Sequence, residues 1–336
     1  PLIDGVVNGC PSHLLEPQST NIALRSQELG TSPWTLSGGA VTNNSAISPD
    51  GTLNANKIES VSGNVGGVYQ TLTSLVIGDI YTVSFYGKSG TSANLCLTIN
   101  NTAAWNTVGG KVFTSADGLN NSTWTRFEYT FAVPSTSGFN IHIGSHSEVG
   151  LTSQYLGDFY VYGVQAEKSS HKTSYIPTTS SAVTRSAETA NGAGDASTFN
   201  DSEGVLMVET KVLDISTSNS WISLSEDANI NNNQFNLRFV ADSNLIQAVS
   251  RAGGLGQDVV LQYTLTDKTL TNKISIKYKL NDWALWVNGF EVDTETSSNA
   301  FTPNSLDVLD FDRGNNSNSF YGNTKQIQYF DSALND

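Results

Sequence analysis

Residues 157–178 read GDFYVYGVQAEKSSHKTSYIPT. Phe159 to Gln165 is a closing strand, and a polar turn and an extended tail ending at TSYIPT (173–178) follow it. Working outward, LLEPQSTNIALRSQEL (14–29), AISPDGTLNANKI (46–58) and WTRFEYTF (124–131) fall at spacings that outline a single β-sandwich closed by this stretch. Between them YTVSFY (81–86) alternates, with Val83 and Phe85 on one face and Thr82, Ser84 and Tyr86 on the other. In WTRFEYTF, Phe127, Tyr129 and Phe131 share one face and Trp124, Arg126 and Glu128 the other. Pro49-Asp50-Gly51 and Ser137-Gly138 mark turns. No long helical periodicity interrupts this pattern, so the reading is a sandwich or jelly roll.

At 336 residues the chain is too long for one ordinary domain. Residues 1–18, punctuated by Pro1, Pro11 and Pro17, read as an extended arm with a short strand at His13 to Leu15. Residues 19–180 form the first sandwich, 181–203 a linker poor in large apolar groups, and 204–336 a second all-β domain. In the second domain KISIKYK (273–279) alternates strictly, and WALWV (283–287) runs into Asn288-Gly289, a type I′ hairpin signal. The fold class expected is therefore all-β, with two sandwiches in tandem.

Composition narrows the function. A net charge of −14 repels phosphate backbones and anionic bilayers, which argues against nucleic acid as a partner. No apolar run reaches the length that crosses a bilayer as a helix, so no membrane insertion is expected. The chain opens PLIDGVVNG, without an initiator Met or an apolar leader, so the expectation is a chain that starts inside a longer polypeptide or after processing. Cys10 and Cys96 are consistent with one disulfide or two thiols, and no CxxC points to a thiolate metal site.

Catalytic constellations are not found. Glu291, Asp293 and Glu295 lie at period two in FEVDTET, but they follow a tight hairpin and read as an acidic edge that discourages strand addition. His142 and His146 sit four apart in a strand that runs into a turn and read as surface histidines. In EDANINNN (226–233) the alternation echoes a calcium loop, yet Asn232 and Arg238 stand where an EF-hand needs Gly and Glu, leaving Asp227 as a loop calcium candidate. No cofactor is expected. Sugar binding needs aromatic platforms with amide partners, and the candidates are Trp105 with Asn101 and Asn106 in the polar loop NNTAAWNTVGG, and Trp286 with Asn288 on one strand face.

The ordered segments around TSYIPT, with PLIDGVVNGCPSHLLEPQSTN ahead of them, resemble a module of tail-fibre, head-fibre and capsid-decorating proteins of tailed phages. That module is similar to the carbohydrate-binding-module jelly rolls. WALWVNGFEVDT (283–294) and SFYGNTKQIQYFDSALND (319–336) resemble a concanavalin A-like, laminin-G-type lectin sandwich. The resemblance implies a non-enzymatic protein of the virion surface. Its expected partners are host-surface polysaccharide or other glycans and other virion proteins, in a homo-oligomer such as a trimer with 1–18 as the contact arm. It also implies a structural calcium held by the last strand of the jelly roll, where Tyr162 or Gly163 stands at the usual Asp position and Asp158 is the substitute. The competing expectation is a fragment of a secreted carbohydrate-active enzyme or a non-viral glycan-binding protein.

Overall fold

The computed structural model describes every residue except 1, 4–5, 8–11, 61–65, 74, 103–105, 135–137, 147, 150–156, 214–217, 228 and 335–336. The chain is all-β, and its antiparallel sheets are arranged as β-sandwiches. It divides into two compact units: Gln18–Ser186, and Pro1–Pro17 together with Ala187–Asp336. The first unit is thus inserted into the second.

The inserted unit is built from two five-stranded sheets. One runs in the order Thr107–Phe113, Leu95–Asn101, Gly138–Gly144, Gly67–Thr73, Thr35–Leu36, and the other in the order Thr125–Ala132, Ile80–Ser89, Gly157–Glu167, Leu53–Ser60, Ala40–Ile47. Alternation selects the buried faces. Val83, Phe85, Phe127, Phe131, Phe159 and Val161 meet Leu95, Leu97, Ile99, Phe139 and Ile141 in one core. Aromatic packing tightens it, with Phe113 and Phe127 centroids 4.5 Å apart.

The opening and closing motifs exist to hold each other. Asn21 donates to the carbonyls of Val164 (3.1 Å) and Ile176 (2.8 Å), and its Oδ1 accepts from the N–H groups of Ala23 and Ala166. The buried Glu167 carboxylate accepts from Ser19 Oγ, Gln165 Nε2, Thr173 N and Thr173 Oγ1 at 2.5–2.8 Å. Thr178 Oγ1 donates to Ala23 O at 2.5 Å. Each of these groups is buried, and burial without such partners would cost about 1–3 kcal/mol per group. Beside these motifs, where the Tyr162 ring packs against Tyr175, the Asp50 carboxylate accepts from Ser48, Thr52, Asn54 and Tyr162. Burial opposes its charge, but these hydrogen bonds outweigh burial and hold the carboxyl well below the usual range.

The second unit pairs a six-stranded sheet with a five-stranded one. The first runs Phe290–Glu295, Trp283–Val287, Asn272–Lys279, Glu203–Val212, Gly322–Phe330, His13–Leu15. The second runs Val260–Thr264, Leu245–Arg251, Gln234–Phe239, Ser220–Ser225, Val308–Asp310. Within the expected arm, His13–Leu15 adds an edge strand to Gly322–Phe330, and Leu15 enters the core that also holds Phe311 and Phe320. The stretch 181–203, expected as a linker, divides between the units. Val183–Arg185 pairs with Ser19–Asn21, while Glu188 exchanges backbone and side-chain bonds with Glu16. Ala193 bridges Leu309, Asn191 donates to Asp312, and Phe199 is buried. Small polar residues here spend their polar atoms on specific partners, which composition alone does not display.

Candidate functional site

The second unit's hairpin carries the candidate site. In Trp283–Val287, Trp283, Leu285 and Val287 point into the core, which leaves Trp286 on the outward face of the six-stranded sheet. Asn288 (φ 51°) and Gly289 (φ 89°) make the tight turn that sequence reading expected. Across the sheet the register places Trp286 beside Ser275, Ser275 beside Met207, and Met207 beside Gln328. Lys273 and Lys277 flank Ser275 on the same face, because Ile274, Ile276 and Tyr278 take the core side.

These residues enclose an open groove of about 320 Å³, lined by Val205, Met207, Lys273, Ser275, Lys277, Trp286, Gly289 and Leu334. Its floor is apolar and its half-buried indole stands at one wall. The ammonium groups are held at the ends: Lys277 Nζ lies 3.1 Å from Asp282 and Lys273 Nζ 3.8 Å from Glu209. A flat ligand with an apolar face and a hydroxylated rim fits such a surface, since C–H groups pack on the ring while Ser275 and the lysines serve the hydroxyls.

The other expected residues fall as follows. Asn288 is a turn residue whose side chain is engaged: Oδ1 accepts from Lys273 N (2.9 Å) and Nδ2 donates to Asn272 (3.0 Å). Asn101 and Asn106 belong to the inserted unit and are joined by a backbone bond, Asn101 N to Asn106 O at 2.9 Å. Trp105 lies outside the described residues, as does Cys10, while Cys96 is a buried free thiol whose burial pushes its pKa up to about 11.

For calcium, Asp158 is already occupied. Its carboxylate accepts from Thr91 N (3.0 Å) and Thr91 Oγ1 and pairs with Lys57 at 3.2 Å. Burial opposes its charge, and these partners outweigh it to hold the carboxyl below its ordinary value. Asp227 is exposed, and among the described residues no group of three or more His, Cys, Asp or Glu side chains is placed to hold a metal. Asp293 and Glu295 accept backbone N–H bonds from Gln262, Thr294, Thr296 and Ser297 along the sheet edge.

His142 and His146 correct the sequence reading. Expected at the surface, both are fully buried, with ring centroids 5.4 Å apart. Alternation does put His142 on the outward face of its sheet, but Cys96 Sγ lies 3.9 Å from Glu148 O, so the chain after the strand folds back over that face. Neither ring nitrogen of His142 has a hydrogen-bond partner. Burial, reinforced by His146, pushes its pKa down to about 3.

Sequence reasoning singled out Trp286 but missed Met207, Ser275 and the two lysines around it. The alternation of KISIKYK contained the signal, since inward Ile274 and Ile276 imply outward Lys273, Ser275 and Lys277.

No protein-family model matches the chain, and no curated protein does. Several solved structures are similar over part of it. The CBM40 of the Ruminococcus gnavus IT-sialidase is 16% identical with a TM-score of 0.36, over 44% of this chain and 90% of that one. A native heptameric SAP-like pentraxin from Limulus polyphemus is 10% identical with a TM-score of 0.35, over 43% and 70%. The enzymatically active domain of bacteriophage CBA120 tailspike protein 4 is 17% identical with a TM-score of 0.32, over 44% and 21%.

Proposed function

We propose that this chain is a virion structural protein of a tailed phage, a head or tail fibre or a capsid decoration. In this reading it presents sugar-binding β-sandwiches for adhesion to host-surface or mucus polysaccharide. The observation that carries the sugar-binding part is the Trp286 groove, an indole over an apolar floor with Ser275, Lys273 and Lys277 at hand. Among the described residues that line the groove none bears a carboxylate or an imidazole, which supports a binding role. The order of the motifs that resemble phage fibre modules supports the virion assignment. An open groove of this size suits weak single contacts, and a homo-oligomer displayed in many copies would raise avidity.

A glycan array probed with the full chain tests the reading. We expect a restricted set of polysaccharide signals that fall at least tenfold in Trp286→Ala. A silent array, or signals indifferent to Trp286→Ala, overturns the groove assignment. Antibody labelling of the parent particle in electron micrographs tests the virion placement separately, and particles left unlabelled on both head and tail would refute it.

A further inference from the structure

The outward face of the second unit's other sheet is unlike the Trp286 groove. Ile222, Leu224, Phe235, Leu237 and Phe239 fill the core, so Trp221, Ser223, Asn236 and Arg238 face the other way. Trp221 is opposite Arg238 in the ladder, and Arg238 is opposite Gln247. The segment after Val308–Asp310 folds across this face: Ser223 Oγ donates to Asp312 O at 2.8 Å, and Trp221 N to Asn318 O at 3.1 Å. The Asp312 carboxylate accepts from Gly314 N and Asn315 N, a turn that swings Arg313 over the sheet.

The result is two guanidinium groups against one indole. Arg238 lies 5.4 Å and Arg313 5.3 Å from the Trp221 ring centroid. Among the described residues, neither has a carboxylate within salt-bridge distance, although the chain holds 31 acidic residues against 17 Lys and Arg. Burial and the neighbouring Arg313 both lower the proton affinity of Arg238. The buried Nε atoms of both arginines and Nε1 of Trp221, 8% exposed, have no acceptor. Those three N–H groups are sealed from solvent and Arg238 Nη2 donates to Gln247 Oε1, so what a ligand meets is the remaining Nη donors of two like charges that no carboxylate neutralises, which calls for an acceptor bearing negative charge.

We infer that this face is a second binding site, one that takes the carboxylate of an acidic saccharide. The two Nη groups at the end of the Arg313 guanidinium match a carboxylate in bidentate fashion, and Arg238 Nη1 adds a charged donor beside the same indole. Free inorganic anions share part of this chemistry, so they serve as competing probes.

The test is calorimetric titration of the full chain carrying Trp286→Ala, which silences the groove and keeps the two sites separable. A linear tri-galacturonate should bind, at least tenfold more weakly in Arg238→Gln or Arg313→Gln and more weakly as salt rises, while the neutral galactose trisaccharide should not bind. Binding of both trisaccharides alike, or acidic binding that survives both substitutions, overturns the proposal. So does sulfate or acetate binding as tightly as the trisaccharide, which would make the site one for a free anion. If the arginine variants do not fold, the unsubstituted chain decides: its melting temperature should rise with the acidic trisaccharide and not with the neutral one, and equal shifts refute the assignment.

Discussion

Two outward sheet faces, one in each unit, began as the same sequence pattern and ended differently. In Leu95–Asn101 and Gly138–Gly144 of the inserted unit, inward Leu97, Ile99, Ile141 and Ile143 leave Thr98, Asn140 and His142 outward, and these polar side chains are buried all the same. In Asn272–Lys279 and Trp283–Val287 of the outer unit, the same alternation leaves Ser275 and Trp286 around an open groove. Period two tells which side of a strand a residue takes. What covers that side is decided by segments distant in sequence.

The sharpest way to break this contrast is acid. His142 has a pKa pushed down from 6.5 to about 3 by burial, so the unfolded chain takes up its proton first as pH falls. The stability it affects is intact above pH 6.5 and drains away between 6.5 and about 3. The loss should be a few kcal/mol in the inserted unit, since each tenfold change in proton affinity is worth about 1.4 kcal/mol. Calorimetry across that window should show one transition falling with pH more steeply than the other, and His142→Leu should flatten it. A transition that falls as steeply with pH in the variant as in the unsubstituted chain would mean that the sealed face is not the origin.

Next in size is the open face. Trp286→Ala should weaken saccharide binding at least tenfold, about 1.4 kcal/mol, while the melting temperature of the unit moves little because the indole is only half buried. Asn288→Ala reverses that signature. It loses two side-chain bonds and puts Ala at a φ of 51°, so denaturation should show about 1–2 kcal/mol lost with affinity retained, and Asn288→Gly should restore only the part owed to backbone strain. Smallest of all, chelation with EDTA should shift the melting temperature by less than about 1 °C, since Thr91 and Lys57 already satisfy Asp158.

Much of this architecture was legible. YTVSFY and KISIKYK were legible as strands because side-chain alternation is a local property, and Val83, Phe85, Ile274 and Ile276 do lie in the cores. Asn288-Gly289 announced its hairpin because positive φ restricts which residues serve there. The short strand at His13–Leu15 was visible too, but its partner, Gly322–Phe330, was not, since pairing between segments so far apart in sequence leaves no local mark. The same reason hid the roles of Asn21 and Glu167, whose partners lie far along the chain. At the site, Trp286 was found by type and strand face. Asn288 was singled out for its amide, yet the turn consumes both ends of that amide. His142 was misplaced because a strand followed by Gly-Ser looks like a surface turn until the chain that returns over it is seen.

The insertion of Gln18–Ser186 into the other unit bears on biogenesis. On the ribosome the inserted sandwich is complete long before Gly322–Phe330 emerges to receive His13–Leu15. His13–Leu15 must therefore wait, unpaired, while the whole stretch up to Gly322–Phe330 is made. A chain stalled or cleaved short of Gly322–Phe330 would release one finished sandwich and one open edge, a species inclined to recruit the missing strand from another copy.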